Sequence, residues 1–182
     1  PEAKVYAFEP VFRNYEKLLY NSSMNNYDIQ CIDKALSNFD GEAIIYDTDS
    51  EITYSVTVNK NYHQPGVKVF ESKIQTIKLS SYIEKNNINH IDLIKIDVER
   101  HEPEVLEGFG VYFKKFLPTI LVEILDDETA EKVSKVISGL PYLYFIEDKN
   151  GNFTRTDILI KSDWFNVLLC SEKTAKTLKL IP

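Results

Sequence analysis

The segment Ile91-Asp-Leu-Ile-Lys-Ile-Asp-Val-Glu-Arg-His-Glu-Pro-Glu-Val-Leu-Glu-Gly108 constrains the fold of this chain more than any other. Ile91, Leu93, Ile94, Ile96 and Val98 make a near-continuous apolar run of strand length, the pattern of a strand buried on both faces rather than of a one-sided alternation. The run gives way to Asp97, Glu99, Arg100, His101 and Glu102, then to Pro103, whose fixed φ and missing N–H suit the first turn of a helix. A polar cluster therefore falls where a buried parallel strand hands over to a helix. In open α/β sheets ligands bind beyond the carboxyl ends of the strands. Capping the helix entered at Pro103 is the competing use for Asp97 and Glu99.

The remaining chain supplies strands and helices to build such a sheet. Lys4-Val-Tyr-Ala-Phe-Glu-Pro10 is a short strand ending on Glu9, and Phe12, Tyr15, Leu18 and Leu19 recur at helical spacing behind it, predicting a helix of about nine residues. Tyr27 to Leu36 is the next strand, carrying Asp33 and Lys34, with a turn at Asn38-Phe-Asp-Gly41. From 42 to 79 the pattern becomes β-rich, with runs at Ala43–Tyr46, Ile52–Val58 and Val67–Phe70, and predicts an antiparallel hairpin excursion from the main sheet. Ser81-Tyr-Ile-Glu84 matches a capping box opening a short helix. Thr119 to Leu125 is a second apolar strand ending in the acids Glu123, Asp126 and Asp127. Asp127 is placed to cap a helix with the apolar face Ala130, Val133, Val136 and Ile137, which Gly139 and Pro141 close. Tyr142–Ile146, a turn at Asp148–Gly151 and Trp164–Cys170 complete the strands, and Ser171 caps a terminal helix.

Strand and helix in alternation predict a parallel sheet with right-handed crossovers, so that Glu9, Asp33, Asp97, Glu99 and Glu123 approach one crevice. Any one such acid alone reads better as a helix-terminus charge, worth roughly 0.3–1 kcal/mol. Together they favour a ligand site. With 182 residues, 43% hydrophobic and 27% charged, the chain has the composition of a single globular domain, here taken as 1–182. A net charge of −7 without a basic block disfavours nucleic acid and anionic membranes as partners. Cys31 and Cys170 lie in apolar segments, as reduced buried thiols do, and no apolar stretch is long enough to span a membrane, so a cytoplasmic protein is expected.

Three ordered segments resemble one family. They are Val5-Tyr-Ala-Phe-Glu-Pro10, Ala35-Leu-Ser-Asn-Phe-Asp-Gly-Glu42, and Ile91-Asp-Leu-Ile-Lys-Ile-Asp-Val-Glu99 with Glu102 and Val105-Leu-Glu-Gly108. This set is similar to the FkbM-type S-adenosylmethionine-dependent methyltransferases. The resemblance implies a Rossmann-like class I methyltransferase sheet, mostly parallel, with S-adenosyl-L-methionine as cofactor. It implies that Glu9 bonds the cofactor ribose, that Asp33 and Lys34 lie near the adenine, and that Asp97 and Glu99 lie near the methionine end and the acceptor, with His101 as a further proton acceptor. The reaction implied is O-methylation of a hydroxyl on a sugar or other small-molecule acceptor. The sequence departs from the family at Arg100-His101, where Gly-Ala is usual, and an acidic Gly-rich loop with its strand is expected before Lys4. That strand would lie between the strands at Lys4–Phe8 and Ile91–Val98. Direct pairing of those two, or self-association into a homo-oligomer, would otherwise cover their edges.

Other readings compete. A nicotinamide-dependent dehydrogenase also ends its second strand on an acid but needs a Gly-x-Gly-x-x-Gly turn, which this chain lacks. Asp47-Thr-Asp49 has the form of a sugar-nucleotide transferase metal motif, yet its position suits a hairpin turn better. Asp97, Glu123 and Asp126 are a conceivable divalent-cation set. A noncatalytic, methyltransferase-derived scaffold is the alternative from a different class.

Overall fold

Short apolar runs broken by polar turns fold into ten strands and six helices among the described residues of a computed structural model, which are 3–25, 27–48, 69–161 and 163–182. They fall into two units, Pro1–Lys78 and Leu79–Pro182.

In the first unit β1 (Val5–Phe8) pairs in parallel with β2 (Ile29–Ile32), and the Glu9 N–H continues the ladder to the Ile32 carbonyl at 3.0 Å. The intervening helix α1 (Phe12–Met24) is 13 residues long, beyond the nine that its apolar periodicity predicts. Its polar last turns are satisfied locally, Ser22 Oγ donating to the Tyr27 carbonyl and Ser23 Oγ to that of Tyr20. The strand expected from Tyr27 to Leu36 is in fact two. After Ile32 the chain bends at Asp33-Lys34 and changes partner, so that β3 (Ala35–Leu36) pairs in parallel with β5 (Val69–Ile77). β4 (Gly41–Thr48) runs antiparallel to β5, which is the predicted hairpin excursion. The Ile52–Val58 run, the first two residues of the Val67–Phe70 run and Asp49 of the Asp-x-Asp motif lie outside the described residues.

The second unit opens with α2 (Leu79–Lys85), which starts two residues before the expected capping box because the Ser80 N–H is taken up by the Gly108 carbonyl. β6 (Leu93–Ile96), α3 (Glu102–Glu107), α4 (Val111–Phe116), β7 (Thr119–Glu123) and α5 (Asp127–Val136) follow. β8 (Leu143–Glu147), β9 (Phe153–Thr156), β10 (Asn166–Cys170) and α6 (Glu172–Thr177) complete the unit. The sheet order is β6-β7-β10-β8-β9. β6 and β7 are parallel, and β10 inserts antiparallel between β7 and β8, so β8 runs the same way as the first two. β9 has a single apolar residue, Phe153, and carries no strand signal of its own. It is held to β8 by the turn in which Asp148 Oδ1 accepts the Asn150 and Asn152 N–H groups, with Gly151 at φ +77°.

The described sheets are thus mixed, with three parallel and four antiparallel pairings, rather than mostly parallel. The antiparallel share comes from the excursion, the inserted β10 and the β8–β9 hairpin. The predicted two-faced burial fits β10, whose Val167, Leu168, Leu169 and Cys170 are all buried, better than β6. In β6 Ile96 is buried but Leu93 is 62% exposed, since among the described residues β6 has a ladder on one side, to β7, as β1 has to β2. Ile120, Val122, Ile124, Phe145, Val133 and Ile137 fill the core, each worth roughly 1.5–3 kcal/mol by burial. Among the described residues no helix is long and apolar enough to cross a membrane.

Candidate active site

β6 and β7 are parallel neighbours in the register Ile96↔Val122. The next residue on each strand, Asp97 and Glu123, therefore stands beside the other just past the last rung, with strands about 4.8 Å apart. The Asp97 carboxyl lies against that of Glu123. Asp97 is also paired with Lys95 Nζ at 3.1 Å. Burial raises Glu123 most, Asp97 adds to it through repulsion and a shared hydrogen bond, and Glu99 adds further repulsion, so that Glu123 titrates at about 7. Glu123 therefore keeps its proton to near neutral pH beside the Asp97 carboxyl.

Glu99 reaches this pair by a route other than the expected one. Strand alternation from 97 to 99 would bring it there, but β6 stops at Ile96 and residues 98–100 form a bend. In that bend Glu99 has φ +54° and Arg100 φ +73°. Left-handed backbone costs a residue with a Cβ roughly 1–2 kcal/mol, so two in succession need support. The Glu102 carboxylate provides it. Its Oε1 accepts the Val98 N–H at 3.2 Å and the Arg100 N–H at 3.3 Å, and Pro103 follows in the first turn of α3 as expected. Burial pushes the Glu102 carboxyl above its ordinary value, against these N–H groups.

Arg100 Nε bonds Asp126, which also caps α5 by accepting the Thr129 N–H at 2.8 Å. The cap is thus Asp126 and not Asp127, because Asp126 holds the extended backbone that a cap requires. Burial would raise Asp126, but the Arg100 and Thr129 hydrogen bonds outweigh it and hold it down to about 2. His101 stands before α3, with Nδ1 3.5 Å from Glu104 Oε2. Its burial lowers its pKa, opposed by Glu104 and Glu107. A groove of about 420 Å³ between α5 and residues 157–160 is lined by Asp127 but by none of Asp97, Glu99, Glu123 and Asp126. Among the described residues no group of three or more His, Cys, Asp or Glu side chains is placed to hold a metal ion.

In the first unit the same logic places Glu9 beside Asp33, since β1 and β2 are parallel in the register Phe8↔Ile32. Glu9 Oε1 accepts the Val11 N–H at 2.8 Å, and Asn14 and Arg13 lie near. Burial raises its pKa despite those contacts. Asp33 is exposed and Lys34 half-buried at the bend between β2 and β3. Glu9 and Asp33 thus follow the ends of paired strands in one unit, while Asp97 and Glu99 act directly on Glu123 in the other. Glu123, expected at the crevice but not among the reacting groups, lies against Asp97, and the parts played by Lys95, Glu102 and the Asp126–Arg100 pair are not among the expectations. The signals were a lone Lys inside an apolar strand, and a Glu just before Pro103.

In the second unit two parallel strands end together on acids and each leads into a helix, an α/β arrangement. A family model for the methyltransferase FkbM domain matches residues 1–153, and the chain belongs to that family of methyltransferases. No curated protein and no solved structure matches the chain. Residue 100 is left-handed, a conformation glycine takes without penalty, and Arg100 keeps that turn at a cost.

Proposed function

We propose that this methyltransferase uses S-adenosyl-L-methionine to methylate a hydroxyl on a sugar or another small-molecule acceptor. The observation that carries the reading is the Asp97–Glu123 carboxyl pair, with Glu99 turned toward it, at the ends of two parallel strands.

Fit to the cofactor rests on the first unit. A carboxylate offers roughly four lone-pair sites, and the Val11 N–H and Asn14 use part of the Glu9 set, which leaves acceptor capacity for a ribose diol. Such bonds to a charged acceptor are about twice as strong as neutral ones. Asp33 and Lys34, on the bend that follows β2, are proposed to flank the adenine. When bound, S-adenosylmethionine supplies an electrophilic methyl group. The chain's own part is to orient the acceptor and receive its proton. Asp97 and Glu99 accept the hydroxyl hydrogen bond, and the carboxyl cluster they form with Glu123, itself raised to about 7, takes the proton as the oxygen becomes alkylated. Holding the acceptor in near-attack geometry supplies most of the remaining acceleration. His101, drawn to Glu104, is a secondary proton acceptor. In this reading the sheet is the family's Rossmann-like one, elaborated by the hairpin excursion.

The test is transfer of a tritiated methyl group from S-adenosylmethionine by the full-length protein to a panel of sugars and alcohol-bearing natural products. Labelling that falls at least about 100-fold in Glu99→Gln and Asp97→Asn, at unchanged melting temperature, is expected from loss of general-base groups. Wild-type turnover in both variants overturns the proposal.

A further inference from the structure

Among the described residues Glu102 is the only carboxylate or basic side chain with none of its surface exposed. A buried carboxylate is costly unless hydrogen bonds compensate it. Here Oε1 meets two backbone N–H groups, while Oε2 finds no hydrogen-bond partner among the described residues. The two N–H groups are those of Val98 and Arg100, which bracket Glu99. Glu99 and Arg100 are also the two consecutive residues of this loop with positive φ. One carboxylate oxygen thus pins both sides of the strained turn. Arg100 is tied a second time, through its side chain, to Asp126 at the head of α5.

We propose that Glu102 is a positioning residue for methyl transfer: its buried carboxylate holds Glu99 and Arg100 left-handed and so presents Glu99 to the Asp97–Glu123 pair. The role rests on the function proposed above. It assigns Glu102 no contact with substrate or cofactor. Its action is on the backbone alone, which predicts that glycine at residue 100 can substitute for it, because glycine adopts φ near +73° unaided.

The experiment measures amide hydrogen exchange at Val98 and Arg100, the melting temperature, and the Kd for S-adenosylhomocysteine in the full-length protein. The variants are Glu102→Ala, Glu102→Asp and Glu102→Ala combined with Arg100→Gly. Removing the acceptor should speed exchange at both amides by about tenfold or more and weaken S-adenosylhomocysteine by about tenfold, since Asp97 heads the same loop. Adding Arg100→Gly should bring the affinity back to within about threefold of wild type, as a merely structural loss would not allow. Wild-type exchange in Glu102→Ala, or no recovery on adding Arg100→Gly, overturns the proposal. Where Glu102→Ala does not fold, Glu102→Asp decides: a carboxylate one methylene shorter should lose Arg100 protection by about tenfold, and unchanged protection overturns the proposal. Failure of the wild-type protein to bind S-adenosylhomocysteine would refute the cofactor reading, and the two amides would still decide whether Glu102 holds the loop.

Discussion

Replacing Glu123 by Gln should stabilise the protein at alkaline pH and leave its stability unchanged in acid. Glu123 is raised from 4.5 to about 7 by burial, then by Asp97 and Glu99, so its proton is held more tightly in the folded chain than in the unfolded one. Its ionisation therefore opposes folding. The cost is absent below about pH 4.5, grows as pH rises toward 7 and is complete above that. At 1.36 kcal/mol per pH unit the gap between 4.5 and about 7 corresponds to roughly 3.4 kcal/mol, and screening of the exposed part of the carboxyl reduces this to about 1–1.5 kcal/mol. In a chain of 182 residues that is a melting-temperature gain of roughly 2–4 °C at pH 8. Urea unfolding of both proteins from pH 4 to 8.5 should give coincident curves at the acid end and a gap that opens through pH 5–7, with an unchanged m-value. The same variant should lose methyl transfer. A variant less stable than wild type at pH 8, or a gap constant with pH, would refute the raised Glu123 carboxyl.

Asp126→Ala removes both the cap of α5 and the Arg100 partner, and should cost about 1–2 kcal/mol at pH 7 by chemical denaturation. Because Asp126 is held down to about 2, its contribution is present above its ordinary value of 3.8 and disappears as pH falls through 2, so the gap to wild type should close on acidification. Cys170 is fully buried with its thiol pushed up by burial, whereas Cys31 is half-buried. A disulfide-exchange reagent should therefore label Cys31 first in the native protein, and equal rates would contradict the placement of β10 in the core.

The strand ends were legible because they depend on short-range order. The change from Ile96 to Asp97, and from Phe8 to Glu9, marks where a strand leaves the sheet, and Pro103 marks where a helix starts. Less was legible where partners distant in sequence decide. Nothing near Lys34 says that the chain will leave β1 for β5 at Ala35, and β9 exists because β8 offers an edge, not because Phe153-Thr-Arg-Thr156 asks for one. The direction of β10 is also set by where it inserts, which its apolar run does not encode. At the site, alternation correctly grouped Glu99 with Asp97 but for the wrong reason. The actual device is a left-handed turn carried by Arg100 and pinned by Glu102, and neither residue type announces positive φ.

The most direct test of the central claim is calorimetric titration of S-adenosylhomocysteine into the full-length protein and its Glu9→Gln variant. Saturable binding at one site per chain is expected, weakened in the variant by roughly 1.5–3 kcal/mol, the range for a hydrogen bond to a charged group. Absence of binding to the wild-type protein, or equal affinity in the two, would contradict it.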